Sequence, residues 1–294
     1  MTRRAKVTSL IVGAALLVGI SGVLALGSLL TAPVPREIGP PPADLGAETV
    51  GIPSASGADL AAWFVPADSS GEAGARGAVV LMHGVRADRR SLTERARLFR
   101  DAGYAVLLFD FQAHGESPGD QITFGWREQD DAIAAVAWMR QRLPGAPVAV
   151  VGQSMGGAAA LYAGADLGAD ALVIESVYGS LAQATENRLT MRLGGIGRPL
   201  APVLTSQVRL RLGVPLDSLA PEAAIRDANA PVLVASGTED EHATPEEARR
   251  LYANAPEPKA LWIASGAAHQ DLYRFAPEAY REHVLGWLET TLER

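Results

Sequence analysis

Short apolar runs recur along this chain and are separated by longer stretches with helical periodicity. Apolar runs of this kind, rich in β-branched residues, are typical of buried strands. From residue 78 onward they lie at 78–82, 105–109, 148–151, 171–174, 232–236 and 259–264. Helical sequence alternates with them, at 91–102, 130–143, from 157, at 245–254 and at 277–293. This alternation predicts an α/β domain with a mostly parallel, twisted sheet and helices on both faces.

Two departures from the alternation change this picture. Residues 48–52 and 60–65 predict an opening antiparallel hairpin. Residues 177–229 are too long for a simple connection, and their arginines, glycines and prolines indicate short broken helices. We predict a helical lid insertion there. An amphipathic surface element is the alternative interpretation, and a lid that also rests on a membrane is a further one.

The N-terminus carries an uncharged run from Val7 to Leu30, preceded by Arg3, Arg4 and Lys6. The run is long enough to cross a bilayer as a helix and is longer than the apolar core of a signal peptide. The cationic flank is expected to stay cytoplasmic, which places the rest of the chain outside. We therefore predict a signal-anchor or transmembrane segment over residues 1–31, with secretion after signal cleavage as the alternative.

Residues 32–46 contain five prolines, which predict a stiff, extended linker. We expect this linker to hold the globular part, residues 47–294, slightly away from the membrane. The chain has 294 residues, no cysteine and a net charge of −7. These values exclude disulfides and cysteine-ligated metal sites, and they argue against a nucleic-acid partner. No metal and no organic cofactor is implied, and the sequence leaves the oligomeric state open.

The strand at 148–151 leads into Gly152-Gln153-Ser154-Met155-Gly156, and a helix of small residues follows. A serine on such a sharp turn needs glycine two positions before it and two after it. The turn exposes the Ser154 hydroxyl and places the Met155 backbone N–H at a helix N-terminus, where an oxyanion can be held. A glycine-rich turn with an ordinary serine is the alternative. We favour a nucleophile, because the strand and the helix supply the context that the motif requires.

A nucleophilic serine needs a histidine to take its proton and a carboxylate to orient that histidine. Functional sites of open parallel sheets lie at the carboxyl ends of the strands. Ser154, Asp240 and His269 each follow a predicted strand, so we predict them to be the nucleophile, the orienting acid and the base. Glu175 ends an earlier strand and is the alternative acid.

The remaining histidines are predicted to be structural or solvated. They are His83, His114, His242 and His283. The loop that contains His83 is expected to supply the second oxyanion donor, the backbone N–H of Val85.

Together these residues resemble bacterial α/β-hydrolases of the serine-hydrolase type, near the serine-aminopeptidase-like and dienelactone-hydrolase-like groups. The matching segments are His83-Gly84, Asp110-Phe111-Gln112-Ala113-His114-Gly115-Glu116-Ser117, Gly152-Gln153-Ser154-Met155-Gly156-Gly157, Asp240 and His269. The resemblance spans residues 47–294 and implies the α/β-hydrolase fold, in which the triad occurs in the order Ser, Asp, His. One departure is Gln112-Ala113, where many relatives carry a Tyr-Arg or an Arg-Gly pair.

The expected function is a membrane-anchored serine hydrolase that cleaves carboxylic esters, small or lipid-like, through an acyl-enzyme. Peptide hydrolysis and acyl transfer are alternatives on the same fold. Two alternatives belong to other classes. One is a catalytically silent binding or scaffold protein, and the other is a membrane-interaction module whose basic lid binds anionic lipid.

Overall fold

One eight-stranded sheet forms the centre of the molecule in the computed structural model, which describes residues 3–67 and 76–292. The strands are β1 (Glu48–Pro53), β2 (Asp59–Val65), β3 (Gly77–Met82), β4 (Tyr104–Phe109), β5 (Val148–Gln153), β6 (Ala171–Glu175), β7 (Val232–Gly237) and β8 (Lys259–Ala264). Their order across the sheet is β1-β2-β4-β3-β5-β6-β7-β8. Neighbouring strands run parallel except in the pairs β1–β2 and β2–β4. The predicted mostly parallel sheet and the opening hairpin are confirmed.

Twelve helical segments surround the sheet in the described part of the chain. They are α1 (Arg3–Thr31), α2 (Thr93–Asp101), α3 (Glu128–Arg142), α4 (Met155–Ala163), α5 (Leu181–Leu193), α6 (Gly197–Thr205), α7 (Val208–Leu212), α8 (Pro221–Ala224), α9 (Pro245–Asn254), α10 (Leu272–Phe275), α11 (Pro277–Tyr280) and α12 (Gly286–Leu292). A π-helical turn, Arg281–Leu285, joins α11 to α12, and short 3-10 turns occupy several loops.

Alternate side chains of the central strand β5 enter two separate cores. Val148 and Val150 pack with residues of α3, α4 and α9 on one face of the sheet. Ala149 and Val151 pack with α2 and α12 on the other face. A strand covered on both faces must be apolar at every position, which explains the uninterrupted apolar runs of the sequence. The predicted arrangement of helices on both faces is confirmed.

The chain between β6 and β7 forms several short helices in place of a single crossover helix. Helices α5 and α6 pack against each other, and α1 packs against α6. Ser180 is the N-cap of α5, and its side chain accepts the backbone N–H of Gln183 at 3.1 Å. Pro202 lies inside α6 and Gly213 ends α7. We call residues 181–212 the lid.

Helix α1 covers the segment that we predicted to be transmembrane. Within the described residues, however, no helix is long and apolar enough to cross a bilayer, so the predicted span is not supported. The predicted cationic flank, Arg3, Arg4 and Lys6, lies outside the residues whose side chains are described.

The proline-rich linker lies against the domain that follows it. Val34–Pro35 pairs in parallel with His114–Gly115, and the Arg36 guanidinium donates to the Asp88 carboxylate at 2.8 Å. Glu116 accepts two linker backbone N–H groups at 2.9 and 3.1 Å. The expectation of a spacer is therefore wrong. Its prolines do favour an extended chain, but polar groups of the neighbouring loops bind that chain along the domain surface.

Candidate active site

Ser154 occupies the sharp turn between β5 and α4. Its backbone has φ 51° and ψ −112°, a conformation that costs a non-glycine residue free energy. A Cβ atom on Gly152 would lie 2.6 Å from the backbone N of Gly157, and one on Gly156 would lie 2.5 Å from the carbonyl oxygen of Met82. Both distances are shorter than real Cβ contacts, so this turn excludes side chains at the two glycine positions.

Two backbone N–H groups near Ser154 have no hydrogen-bond partner among the described residues. Met155 is the first residue of α4, so its N–H has no partner within the helix. The N–H of Val85 likewise donates to no described residue. By contrast, the adjacent N–H of Arg86 donates to His114 Nε2 at 3.1 Å. Both Met155 and Val85 line the same cavity as Ser154, so their N–H groups are the candidates for an oxyanion hole.

His269 and Asp240 meet at the carboxyl end of the sheet, in the loops that follow β8 and β7. His269 Nδ1 hydrogen bonds to Asp240 Oδ2 at 2.8 Å and lies 3.1 Å from Oδ1. Asp240 Oδ1 also accepts the backbone N–H groups of His242 and Ala243, each at 2.9 Å. The Asp240 side chain is fully buried, while that of His269 is 20% exposed. The carboxylate therefore fixes the ring and leaves Nε2 directed away from Asp240.

The surroundings keep Asp240 ionised. Burial favours the neutral acid, but the hydrogen bond and charge of His269, with the N–H of Ala243, outweigh it and lower the pKa of Asp240. The His242 ring lies 4.9 Å from the His269 ring, centroid to centroid. Burial and the neighbouring His269 lower the pKa of His242. An ionised Asp240 holds the proton on Nδ1 of His269, and the opposite nitrogen can then act as a base.

Ser154 and His269 form no hydrogen bond with each other in the described part of the chain. The loops that carry them do approach, because Gln153 Nε2 donates to the Gln270 carbonyl oxygen at 3.5 Å. In enzymes without bound substrate, catalytic hydrogen bonds are often long and tighten in the complex. The structure thus pairs the predicted acid with the predicted base and places the predicted nucleophile on an adjacent loop.

The alternative acid, Glu175, is committed to other partners. Its carboxylate lies 2.7 Å from Arg95 Nη2 and accepts the Tyr280 hydroxyl at 2.6 Å. Arg95 also pairs with Asp271 at 3.2 Å. Burial raises the pKa of Glu175, and the charge of Arg95 opposes this shift. Among the described contacts Glu175 has none with His269, so only Asp240 is placed to orient the ring.

Three other histidines have partners of their own. His83 Nδ1 bonds to the carbonyl oxygen of the next residue at 2.8 Å, and its Nε2 accepts the Phe111 N–H at 3.1 Å. Burial lowers the pKa of His83 to about 3, which keeps this ring neutral. His114 bonds to two backbone groups in the same way. His283 stacks on Trp262 with ring centroids 5.2 Å apart.

A cavity of about 270 Å³ opens beside Ser154. Most of its wall is apolar and comes from the lid, from Phe124 and from Leu26 and Leu30 of α1. Three arginines also line it: Arg86, Arg188 and Arg192. The sequence indicated a basic lid but gave no sign that α1 would form part of the wall, because that contact joins segments far apart in the chain.

Comparison with known proteins agrees with this architecture. A family model described as serine aminopeptidase, S33, matches residues 73–202. The uncharacterized protein YqkD of Bacillus subtilis is 29% identical over 81% of this chain and 78% of its own. The uncharacterized protein Rv2307c of Mycobacterium tuberculosis is 30% identical over 75% of this chain and 71% of its own. The solved structure of the Pyrococcus furiosus esterase Pf2001 has a TM-score of 0.72 and 23% identity, covering 89% of this chain and 98% of that chain.

Proposed function

Because the chain belongs to the α/β-hydrolase superfamily, we propose that it is a serine hydrolase that cleaves carboxylic esters through an acyl-enzyme. The observation that carries the proposal is the strained backbone of Ser154 beside an apolar cavity. Strain of this kind persists where the surrounding structure enforces it, which is common at catalytic nucleophiles.

In the proposed reaction the Ser154 hydroxyl attacks the ester carbonyl and His269 Nε2 takes its proton. Asp240 stabilises the resulting imidazolium, and the N–H groups of Met155 and Val85 bind the tetrahedral oxyanion. His269 then donates the proton to the leaving alcohol. His269 next takes a proton from water, which attacks the acyl-enzyme. The proton then passes to Ser154 as the acid is released.

The cavity favours an acyl ester over the amino terminus of a peptide. An aminopeptidase, as the matching family is described, must bind a cationic amino group, and carboxylates serve that purpose. Three arginines line the described cavity, and none of its lining residues is Asp or Glu. Like charges would repel a peptide amino terminus here. Peptide hydrolysis is therefore the second candidate, supported by the family description alone.

Labelling by a fluorophosphonate probe tests the proposal. We expect the wild-type chain to be labelled at Ser154, with labelling lost in Ser154→Ala and in His269→Ala. Ser206→Ala removes an exposed lid hydroxyl and should label like the wild type. A p-nitrophenyl ester series would then measure the length of acyl chain that the cavity accepts. A folded wild-type protein that is neither labelled nor active would favour the silent binding protein.

We also propose that residues 1–31 and the lid hold the enzyme at a membrane surface. Fourteen large apolar side chains are exposed in the described part, and all but Phe275 lie on α1 or the lid. They are Leu17, Val18, Ile20, Leu24, Leu26, Leu29, Leu30, Met191, Leu193, Ile196, Leu200, Val203 and Leu210. Exposed apolar surface of this extent typically marks an interaction site, and the lid arginines suit anionic lipid.

Replacing Leu17, Val18 and Ile20 by Asp tests this location. These side chains are 57–73% exposed, so the fold should tolerate the change. We expect the membrane-bound fraction of the full chain to fall about tenfold or more, because three carboxylates would replace apolar side chains that contact the lipid. Phe275→Asp is the control, since it changes an exposed apolar residue elsewhere. If both variants show the same membrane-bound fraction, the proposal is contradicted. An intact mass lacking about thirty N-terminal residues would instead support secretion after cleavage.

A further inference from the structure

Arg188 is a partly buried cation without an anionic partner. It lies on α5 and lines the cavity beside Ser154. Its guanidinium forms one hydrogen bond, from Nη1 to the Ala184 carbonyl oxygen at 3.1 Å, and no ion pair with any described residue. Arg198, in the same lid, pairs with Glu186 at 2.9 Å although it is largely exposed. The lid thus pairs Arg198, which water could solvate, and leaves Arg188, which is partly buried and lines the cavity, without an ion pair among the described residues.

Burial of this charge is unfavourable as the structure stands. Desolvation lowers the pKa of Arg188, and the nearby charge of Arg192 acts in the same direction. The phenol of Tyr178 and the carboxylates of Asp240 and Glu247 act against it from a distance. A partly buried cation that faces an apolar cavity is stabilised when a negatively charged group binds there. An anionic group on a molecule bound in the cavity would supply this partner.

We propose that the substrate carries an oxyanion on its acyl portion, a carboxylate or a phosphonate-type group, which binds Arg188 while the ester carbonyl lies at Ser154. The planar guanidinium can donate two parallel hydrogen bonds to either group. Apolar atoms between the anion and the carbonyl would lie along the leucines of the cavity wall. Hydrolysis adds water across the acyl–oxygen bond and releases a diacid and an alcohol. This inference rests on the proposed hydrolase function.

Paired esters that differ in the terminal charge test the proposal on the full chain. They are p-nitrophenyl hexanoate, which is neutral, mono-p-nitrophenyl adipate and p-nitrophenyl 6-phosphonohexanoate. We expect the wild type to prefer an acidic ester, and the two acidic compounds distinguish carboxylate from phosphonate recognition. In Arg188→Met, kcat/KM for the preferred acidic ester should fall about 10- to 100-fold, the range for losing a hydrogen bond to a charged group. For the neutral ester, kcat/KM should change less than about threefold, because this ester has no anionic group for Arg188 to bind.

Two further variants separate a binding role from a structural one. Arg188→Lys keeps the charge but not the paired hydrogen bonds, and should retain part of the preference. Arg209→Met removes an exposed lid arginine that does not line the cavity, and should keep the wild-type preference. Equal losses for the acidic and neutral esters in Arg188→Met, or no acidic preference in the wild type, would overturn the proposal.

Binding without turnover distinguishes failure of this proposal from failure of the hydrolase function. Calorimetric titration of Ser154→Ala with adipate and with 6-phosphonohexanoate should show binding of one of them, lost when Arg188→Met is added. Such binding, together with a wild-type chain that hydrolyses no ester, would uphold the anion site and refute the esterase. Ester hydrolysis without binding of either anion would uphold the esterase and refute the anion site.

Discussion

Asp240→Asn is expected to lower kcat for ester hydrolysis by about four orders of magnitude, the loss expected when a Ser-His-Asp triad keeps its geometry but holds the wrong histidine tautomer. The Asp240 carboxylate accepts the Nδ1 proton of His269 at 2.8 Å. Two backbone N–H groups already bind Oδ1, so an amide would keep its oxygen there and turn its NH₂ group toward the ring. That NH₂ group would favour the ring tautomer protonated on Nε2, which cannot take the Ser154 proton. Steady-state kinetics with a p-nitrophenyl ester measure the loss.

Glu175→Gln is the matched control, because it makes the same chemical change at the other candidate acid. Gln keeps an acceptor for the Tyr280 hydroxyl and removes only the charge that faces Arg95. We expect a lower melting temperature, since the buried Arg95 loses one of its two anionic partners, and a kcat within about tenfold of the wild type. A large loss of kcat in Glu175→Gln with little effect of Asp240→Asn would reverse the assignment.

The turn around Ser154 is the part of the site that the sequence predicts best. Its geometry depends on residues next to one another in the chain, and the steric demand at Gly152 and Gly156 is visible as sequence. The sheet is predicted almost as well, because strands buried on both faces must be apolar throughout. Local chemistry and burial pattern are thus sufficient for the fold and for the strained turn that carries Ser154.

Contacts between distant segments were beyond such reasoning. Asp240 follows one strand and Glu175 ends another, and only the folded chain shows that Arg95 and Tyr280 bind the carboxylate of Glu175. The prolines of the linker predict an extended chain correctly, but they do not predict that Glu116 binds it. The position of α1 at the cavity depends in part on Gln207, whose side-chain amide donates to the Val23 carbonyl oxygen at 2.9 Å. No sequence pattern distinguishes that glutamine from an exposed one.

Arg89→Met is expected to lower the free energy of unfolding by about 3–5 kcal/mol, the typical cost of removing one member of a buried ion pair. The Arg89 side chain is fully buried and donates to the carboxylates of Asp110 and Glu116. Its guanidinium carbon also lies 4.7 Å from the centre of the Trp63 ring. Burial already raises the pKa of Asp110, and removing Arg89 would leave that carboxylate without its cation. Urea denaturation of the full chain measures the change.

Arg249→Met is the control, because Arg249 pairs with Glu246 at 3.3 Å on the surface, where both side chains are more than half exposed. Its effect should stay within about 0.5 kcal/mol, as is usual for exposed pairs. Adding Asp110→Asn to Arg89→Met should recover part of the loss, because the double variant no longer buries an unpaired charge. If the double variant is instead as unstable as Arg89→Met alone, the contribution of Arg89 comes from its packing on Trp63, not from neutralising Asp110.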